Sequence, residues 1–332
     1  MGVSGAWNFL QYKQVDVIVS NTTQHDAGVA HSSNIVRIDL VGGFYENIQR
    51  CFLNCHEHQV GKNIAAAKRL LAEIGTMLNK KRCILYIDGT PTLQRDFAHV
   101  FEYNKVRTKA RHKTILYLAR KLFRVNPDIE HVIRTTAEQS GWRVIVAKGE
   151  AEVEIGKAGG IVYSQDSDML FYPKVETVIC PFDGAFHFYN KKTILPQLDL
   201  TSEFFTVMGI IAKNDYEEDF YSGEKEEGNK NFYRDRMIDI YKELIDIKRD
   251  SFNVGNLSGS SLIHAILKAY VSFMNAKTGK SITVDAYENS YSIFALQQEQ
   301  ILVEAYDPRS YEINCPATYL DRIQSYPRYF RD

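Results

Sequence analysis

The chain has 332 residues, of which 45% are hydrophobic and 24% are charged, and its formal net charge is -1. The apolar content is enough for a substantial buried core, and the charge balance excludes a uniformly basic surface. Five cysteines without disulfide-like spacing, no basic leader and no long apolar run predict an intracellular protein without a membrane span.

Strand-like and helix-like segments alternate along the chain. Strands are predicted at residues 35–38, 83–87, 142–146 and 160–163, and a hairpin at 176–189 with Asp183 and Gly184 as its turn. Helices are predicted from residue 39 to 51 and at 62–79, 103–125, 129–140, 203–212, 232–248 and 259–275. The alternation predicts an α/β fold with a central, mostly parallel sheet flanked by helices, followed by a helical C-terminal region.

Acidic residues recur where the predicted strands end. The six that do so are Asp39, Asp88, Glu150, Glu152, Asp166 and Asp168. Ligands bind outside the carboxyl ends of parallel strands, so these side chains are expected to converge. Converging carboxylates repel one another unless cations neutralise them, and hard oxygen ligands suit Mg²⁺ or Mn²⁺. The set therefore predicts a site for two metal ions that assists displacement at a phosphate.

A single aspartate at a strand end is more often a helix cap than a metal ligand, so the prediction depends on the whole set. Asp166 and Asp168 are the most specific pair, because alternate residues of an extended segment point the same way. In a regular helix Glu150 and Glu152 would not share a face.

The predicted helix at residues 103–125 is basic throughout. It contains eight Lys or Arg residues and no acid, namely Lys105, Arg107, Lys109, Arg111, Lys113, Arg120, Lys121 and Arg124. A solvated helix face usually mixes both signs of charge, whereas here one sign is missing. In a chain of net charge -1, such a concentration of cations predicts contact with the phosphate backbone of a nucleic acid.

Six segments resemble, in order, the motifs of the flap endonuclease and XPG-type nucleases, which belong to the PIN-like nucleases. Residues 1–7 resemble the family's MGI-x-G-L-W start, 36–39 with Tyr45 its first strand and helix, 87–91 its D-G-x-P motif, 148–152 its G-E-A-E motif, 164–170 its S-x-D-S-D-x-L motif and 210–216 its G-x-D-Y motif. The resemblance implies a PIN-like 5′-nuclease core over residues 1–216 and a divergent, mainly helical region over 217–332.

The resemblance also implies roles for individual residues. It implies that the metal-binding and catalytic acids are Asp39, Asp88, Glu150, Glu152, Asp166, Asp168 and Asp215, the last of which strand ends alone do not reveal. Gly2 would lie near the active site, and Tyr45 would stack on a base beside the scissile bond. A helical arch at about residues 95–125 would contribute Arg95, Lys105, Arg107 or Arg111.

The chain departs from the family after Asp215. The family continues with a helix–two-turn–helix motif that grips duplex DNA, often through a potassium ion. Here residues 217–231 are acidic, and only Gly255 to Ser261 offers a displaced equivalent. The departure weighs against a potassium ion and strict flap specificity. The segment from Gln324 to Phe330 does not match a sliding-clamp motif either, because Pro327 stands where an aliphatic residue is needed.

Three functions follow as hypotheses. The first is a Mg²⁺-dependent nuclease that cuts branched or 5′-ended DNA by a two-metal mechanism, with a nuclear localisation as the first expectation and a cytoplasmic one as the alternative. The second is the same chemistry on RNA, or as a 5′ exonuclease with little structure preference, which the missing duplex-gripping motif favours. The third is a catalytically inactive scaffold of the same fold that binds nucleic acid, against which the full set of carboxylates argues.

Overall fold

The computed structural model describes residues 2–21, 35–53, 55, 59–89, 123, 125–216, 231–249 and 257–295. The chain divides into two compact units. The first unit comprises residues 1–37 and 152–301, and the second comprises residues 38–151 and 302–332. The predicted division at residue 216 concerns sequence regions and stays a prediction.

The described residues form seven strands, β1 (Ile18–Ser20), β2 (Val36–Asp39), β3 (Cys83–Ile87), β4 (Arg143–Val146), β5 (Gly160–Tyr163), β6 (Val175–Phe182) and β7 (Ala185–Asn190). They also form ten α-helices, α1 (Ala6–Tyr12), α2 (Leu40–Phe52), α3 (Val60–Met77), α4 (Pro127–Gln139), α5 (Ala151–Ala158), α6 (Lys191–Gln197), α7 (Ser202–Ile211), α8 (Phe232–Arg249), α9 (Gly259–Thr278) and α10 (Glu288–Phe294). Short 3₁₀ helices lie at Lys80–Arg82, Ser167–Leu170 and Val284–Tyr287.

Strand pairing in the first unit follows the order β1-β7-β6-β5. β5 and β6 are parallel, whereas β7 is antiparallel to both β6 and β1. The β6–β7 hairpin turns at Asp183 and Gly184, whose φ angles of 49° and 75° are both positive. Two positive φ values are those of a type I′ turn, which matches the twist of the strands, so the predicted hairpin is confirmed.

The second unit places β3 between β2 and β4. β3 and β4 are parallel, with Ile84 opposite Arg143. Helix α3 packs against α2 and α4, and its buried side chains include Leu70 and Ile74. The spacing of these buried positions is the period of an amphipathic helix, as the sequence predicted.

The predicted α/β fold with a mostly parallel sheet flanked by helices is confirmed. The predicted strands and helices that fall in the described ranges are present, with bounds shifted by a few residues. Of the predicted basic helix at 103–125, only Phe123 and Val125 are described. The pattern missed β1, α1, α5, α6 and α10, each of eight residues or fewer, because so short an element cannot establish a period.

No single helix within the described ranges is long and apolar enough to cross a membrane, although the bent pair α6 and α7 passes the same test when taken together. Every residue of α7 from Phe204 to Ile211 is buried. In the first unit α7 contacts α8, α9 and α10, so its apolar surface is covered by helices of the C-terminal region.

A buried ionic network joins α8 to α9 in the first unit. Glu243 is 5% exposed and accepts a hydrogen bond from the Tyr270 hydroxyl at 3.1 Å. The Arg236 guanidinium lies 3.4 Å from the same carboxylate and also donates to the Tyr270 hydroxyl at 3.0 Å. The Lys277 ammonium lies 3.1 Å from the other carboxylate oxygen. A buried ion pair that loses one partner leaves an uncompensated charge, which is strongly destabilising.

We expect Glu243→Ala to lower the free energy of unfolding by about 3 kcal/mol, because Arg236 and Tyr270 lose their common acceptor. Urea unfolding monitored by circular dichroism measures the change. Asp239→Ala is the matched control on the same helix, since Asp239 pairs with Lys242 at the surface and exposed pairs contribute about 0.5 kcal/mol or less. Equal losses for the two variants would contradict a structural role for the buried network.

Candidate metal-binding site

Asp39 ends β2 and begins α2 in the second unit. Its backbone is extended, with φ -70° and ψ 108°, and its Oδ1 accepts a hydrogen bond from Gly42 N at 2.9 Å. The side chain is 6% exposed. The carboxylate is therefore an N-cap that satisfies one of the first N–H groups of the helix, and its orientation is fixed at the strand end.

Asp88 likewise accepts a hydrogen bond from a backbone N–H group at the start of a helix, in this case α5. Its Oδ1 accepts a hydrogen bond from Ala151 N at 2.7 Å. The neighbouring Gly89 makes this approach possible, because a Cβ there would lie 1.9 Å from the carbonyl oxygen of Ala147. Gly89 N also donates to the Gly149 carbonyl at 2.7 Å. The glycine of the D-G motif thus lets two backbone segments meet. Glu150, directly before α5 in the chain, is 5% exposed.

Glu130 of α4 is an acid beside Asp88 that sequence reasoning missed. Desolvation, and to a smaller extent the negative charge of Asp88, raises the pKa of Glu130 from its ordinary value of 4.5 to about 8. Glu130 occupies the first turn of α4, where an acid ordinarily indicates a favourable helix dipole. From the sequence alone, Glu130 is therefore explained by its place at the start of the helix, and nothing indicates that it lies near Asp88.

Asp166 and Asp168 lie on opposite sides of a helix start in the first unit. Asp166 is extended and caps the 3₁₀ helix Ser167–Leu170 by accepting a hydrogen bond from Asp168 N at 3.1 Å. Asp168 is inside that helix. The expectation that both residues lie in one extended segment is therefore wrong, and the reason is that the cap turns the chain directly after Asp166. Both side chains are buried.

Glu152 and Asp215 complete the predicted acids of the first unit. Glu152 is 4% exposed and its Oε1 accepts a short hydrogen bond from the Tyr216 hydroxyl. Tyr216 is itself buried, whereas Asp215 is half-buried. Tyr216 is a contact that the sequence did not reveal as part of the site, although it stands in the D-Y motif beside Asp215.

The N-terminal segment lies along the Asp166 turn in the first unit. Gly2 has a φ of +108°, and a Cβ there would lie 2.1 Å from Asp166 Oδ1. Ser167 Oγ donates to the Val3 carbonyl at 3.1 Å, and Trp7 Nε1 donates to the Gln165 carbonyl at 3.3 Å. Gly2 is thus next to a predicted metal ligand, at a position where a larger residue does not fit.

Tyr45 lies in α2 of the second unit, immediately after Phe44, whose φ of -128° interrupts the helix. Its ring meets the Phe123 ring edge-on with centroids 6.1 Å apart, and its hydroxyl donates a short hydrogen bond to the Phe123 carbonyl. Tyr45 is half-buried, and its predicted stacking on a substrate base stays a prediction. Arg95, Lys105, Arg107, Lys109 and Arg111 lie outside the described residues.

The side chains of the predicted ligands belong to the chemical class that binds hard divalent cations. All seven predicted ligands are carboxylates, and five of them are buried, namely Asp39, Glu150, Glu152, Asp166 and Asp168. Buried anions are costly unless donors or cations compensate them, and oxygen ligands suit Mg²⁺. Three of the seven belong to the second unit and four to the first. Among the described residues no group of three or more His, Cys, Asp or Glu could hold a metal ion, so the ligand set stays a prediction.

We expect the stability of the protein to fall as pH rises from about 4.5 to about 8, because the unfolded Glu130 ionises in this range while the folded residue keeps its proton. Glu130→Gln cannot ionise. Its Tm in EDTA should therefore match the wild type below pH 4.5 and exceed it increasingly up to pH 8. Asp128→Asn, an exposed acid of the same helix, should not produce a Tm difference that grows with pH. A constant Tm difference for Glu130→Gln would contradict the expectation.

The sequence matches no protein-family profile and no curated relative. Solved structures do match. Human GEN1 in complex with Holliday junction DNA is similar with a TM-score of 0.52 and 14% identity, over 97% of this chain and 76% of that chain. The catalytic core of Rad2 in complex with DNA substrate has a TM-score of 0.46 and 12% identity, over 96% and 84% of the two chains. Flap endonuclease-1 from Methanococcus jannaschii has a TM-score of 0.40 and 14% identity, over 86% and 98%.

At these identities the likeness concerns the fold, and the GEN1 match is the one of the three with a TM-score above 0.5. It agrees with the α/β architecture and with the resemblance of the strand-end motifs. The chain therefore shares the fold of the human GEN1 structure.

Proposed function

We propose that this protein is a metal-dependent nuclease that hydrolyses phosphodiester bonds of DNA at branched or 5′-ended structures. The observation that carries the proposal is the placement of the aspartates at strand ends, where backbone N–H groups hold Asp39, Asp88 and Asp166. The solved structure of similar fold, human GEN1, is bound to Holliday junction DNA, which supports nucleic acid as the partner.

The proposed metal ligands are the seven acids Asp39, Asp88, Glu150, Glu152, Asp166, Asp168 and Asp215. When bound, two Mg²⁺ ions, or Mn²⁺ in their place, would supply Lewis acidity to the attacking water and to the leaving oxygen of the phosphodiester. The side chains of this protein would bind the cations and compensate their charge. Burial of the carboxylates strengthens this attraction, because water screens it less.

Positioning of the substrate would fall to other residues. Tyr45 is proposed to stack on a base next to the scissile bond, a contact worth roughly 1–3 kcal/mol. The basic residues Arg95, Lys105, Arg107, Lys109 and Arg111 are proposed to neutralise backbone phosphates, so binding should weaken steeply with salt.

The decisive experiment uses the purified protein with a panel of 5′- and 3′-labelled flap, nicked, Holliday-junction and single-stranded DNA, with RNA alongside. We expect Mg²⁺-dependent cleavage of branched or 5′-ended DNA and none in EDTA. Asp166→Asn should lower the rate about 100-fold or more while keeping Tm, because Asn is as good a helix cap as Asp. Asp235→Asn, an exposed acid of α8 that pairs with Arg234, is the control with unchanged rate.

Other outcomes on the same panel contradict specific parts of the proposal. Equal cleavage of single strands and branched DNA would overturn the structure preference, and preferential cleavage of RNA would overturn the substrate. An uncut panel with both Mg²⁺ and Mn²⁺ would overturn the nuclease activity itself.

Gly2 offers a second test of the site. Gly2→Ala places a methyl group where Asp166 Oδ1 now lies, in a backbone conformation that L side chains rarely adopt. We expect cleavage to fall at least about tenfold, because the carboxylate must move. Gly61→Ala is the control, since no atom lies within 4 Å of that Cβ. A wild-type rate for Gly2→Ala would show that the N-terminal segment does not shape the site.

A further inference from the structure

Asn214 is a buried residue whose side-chain amide forms hydrogen bonds through both its nitrogen and its oxygen. Its Nδ2 lies 3.0 Å from the Gly209 carbonyl and 3.3 Å from the Ile210 carbonyl at the end of α7, and 3.1 Å from that of Ala212. Its Oδ1 accepts hydrogen bonds from Tyr216 N at 2.8 Å and Ser290 Oγ at 3.1 Å. The contacts fix the orientation of the amide, because a flipped group would set oxygen against carbonyl oxygens.

Helix α10 supports Tyr216 at two points. Ser290, which is fully buried, acts on the Tyr216 backbone through Asn214. Phe294, also fully buried, meets the Tyr216 ring edge-on with centroids 6.1 Å apart at an interplanar angle of 85°. A second ring, that of Tyr172, lies 5.2 Å from Phe294 on another side. The Tyr216 side chain is thus held in one rotamer by packing and by a fixed backbone.

The hydroxyl of Tyr216 donates to Glu152 Oε1. All of the side chains from α10 to this carboxylate belong to the first unit, and each of them is at most 7% exposed. A donor held in this way restricts the rotation of the carboxylate. Residues that hydrogen-bond a metal-ligating carboxylate typically change metal affinity 10- to 100-fold when they are removed.

We propose that Ser290, Asn214 and Tyr216 are positioning residues through which helix α10 orients Glu152 for metal binding. The inference rests on the proposed function, in which Glu152 is a metal ligand. It extends that function because it assigns to α10, a helix of the C-terminal region, the orientation of a metal ligand. The sequence of this region does not match the family's motifs.

Binding of Mn²⁺, followed by electron paramagnetic resonance of the free ion, tests the proposal without relying on activity. Tyr216→Phe removes only the hydroxyl and should raise the apparent Kd for Mn²⁺ about tenfold. Ser290→Ala should raise it in the same direction by about threefold, because it acts through Asn214. In cleavage assays, excess Mn²⁺ should restore the kcat of both variants to near the wild-type value, which a folding defect would not allow.

Two control variants also remove a buried hydroxyl, but neither belongs to the relay, which is the chain of hydrogen bonds from Ser290 through Asn214 and Tyr216 to Glu152. Tyr270→Phe removes a buried hydroxyl that also binds a carboxylate of the first unit, that of Glu243. Ser292→Ala removes a buried hydroxyl of α10 that donates to the Asn289 carbonyl. Neither should change the Kd for Mn²⁺. If Tyr216→Phe fails to fold, Ser290→Ala alone decides the question.

Asp166→Asn separates the failure of this inference from the failure of the proposed function. Weakened Mn²⁺ binding in Asp166→Asn with wild-type binding in Tyr216→Phe and Ser290→Ala would overturn the relay and leave the proposed function standing. Unchanged binding in Asp166→Asn would overturn the proposed function, and the relay with it.

Discussion

The donation of backbone N–H groups to aspartates at strand ends is the constraint on which the site depends. An ionised carboxylate that leaves water needs donors, and the first turn of a helix supplies N–H groups that lack a partner. Asp39 and Asp88 use such donors in the second unit and Asp166 does so in the first. At Asp39 the same bond begins the helix that directly follows the strand and fixes the orientation of the carboxylate. Chain direction and site geometry are therefore set together.

The coincidence of strand ends with helix starts explains why the sequence predicts the positions of these acids in the fold. A capping aspartate and a metal-binding aspartate are usually treated as alternatives, yet here three of the predicted ligands cap helices. A role as a helix cap therefore describes the local structure of these aspartates and is compatible with a role as a metal ligand. Short apolar runs such as Cys83–Ile87 predict where strands end. The carboxylates that follow these runs are therefore predicted to lie at strand ends.

Other features lay beyond the sequence for physical reasons. The turn after Asp166 depends on a bond from Asp168 N, so a spacing of two residues could not distinguish an extended segment from a capped 3₁₀ helix. Glu130 comes near Asp88 only through the packing of α4. The donor to Glu152 is 64 positions away in the chain, and no local period encodes such a contact. Short helices such as α10 contain too few residues to show a hydrophobic pattern.

The residues that form the contacts between α10 and Glu152 are far apart in the chain, so the ribosome synthesises them at different times. Tyr216 follows Glu152 by 64 residues, and Ser290 follows Asn214 by 76. A ribosome adds about 5–20 residues per second, so Glu152 emerges roughly 7 to 27 seconds before α10 begins at Glu288. If α10 orients Glu152 as proposed, a nascent chain would carry the proposed metal ligands well before it could bind a metal ion with them. Metal binding at the proposed site would then wait until α10 has been synthesised and has folded.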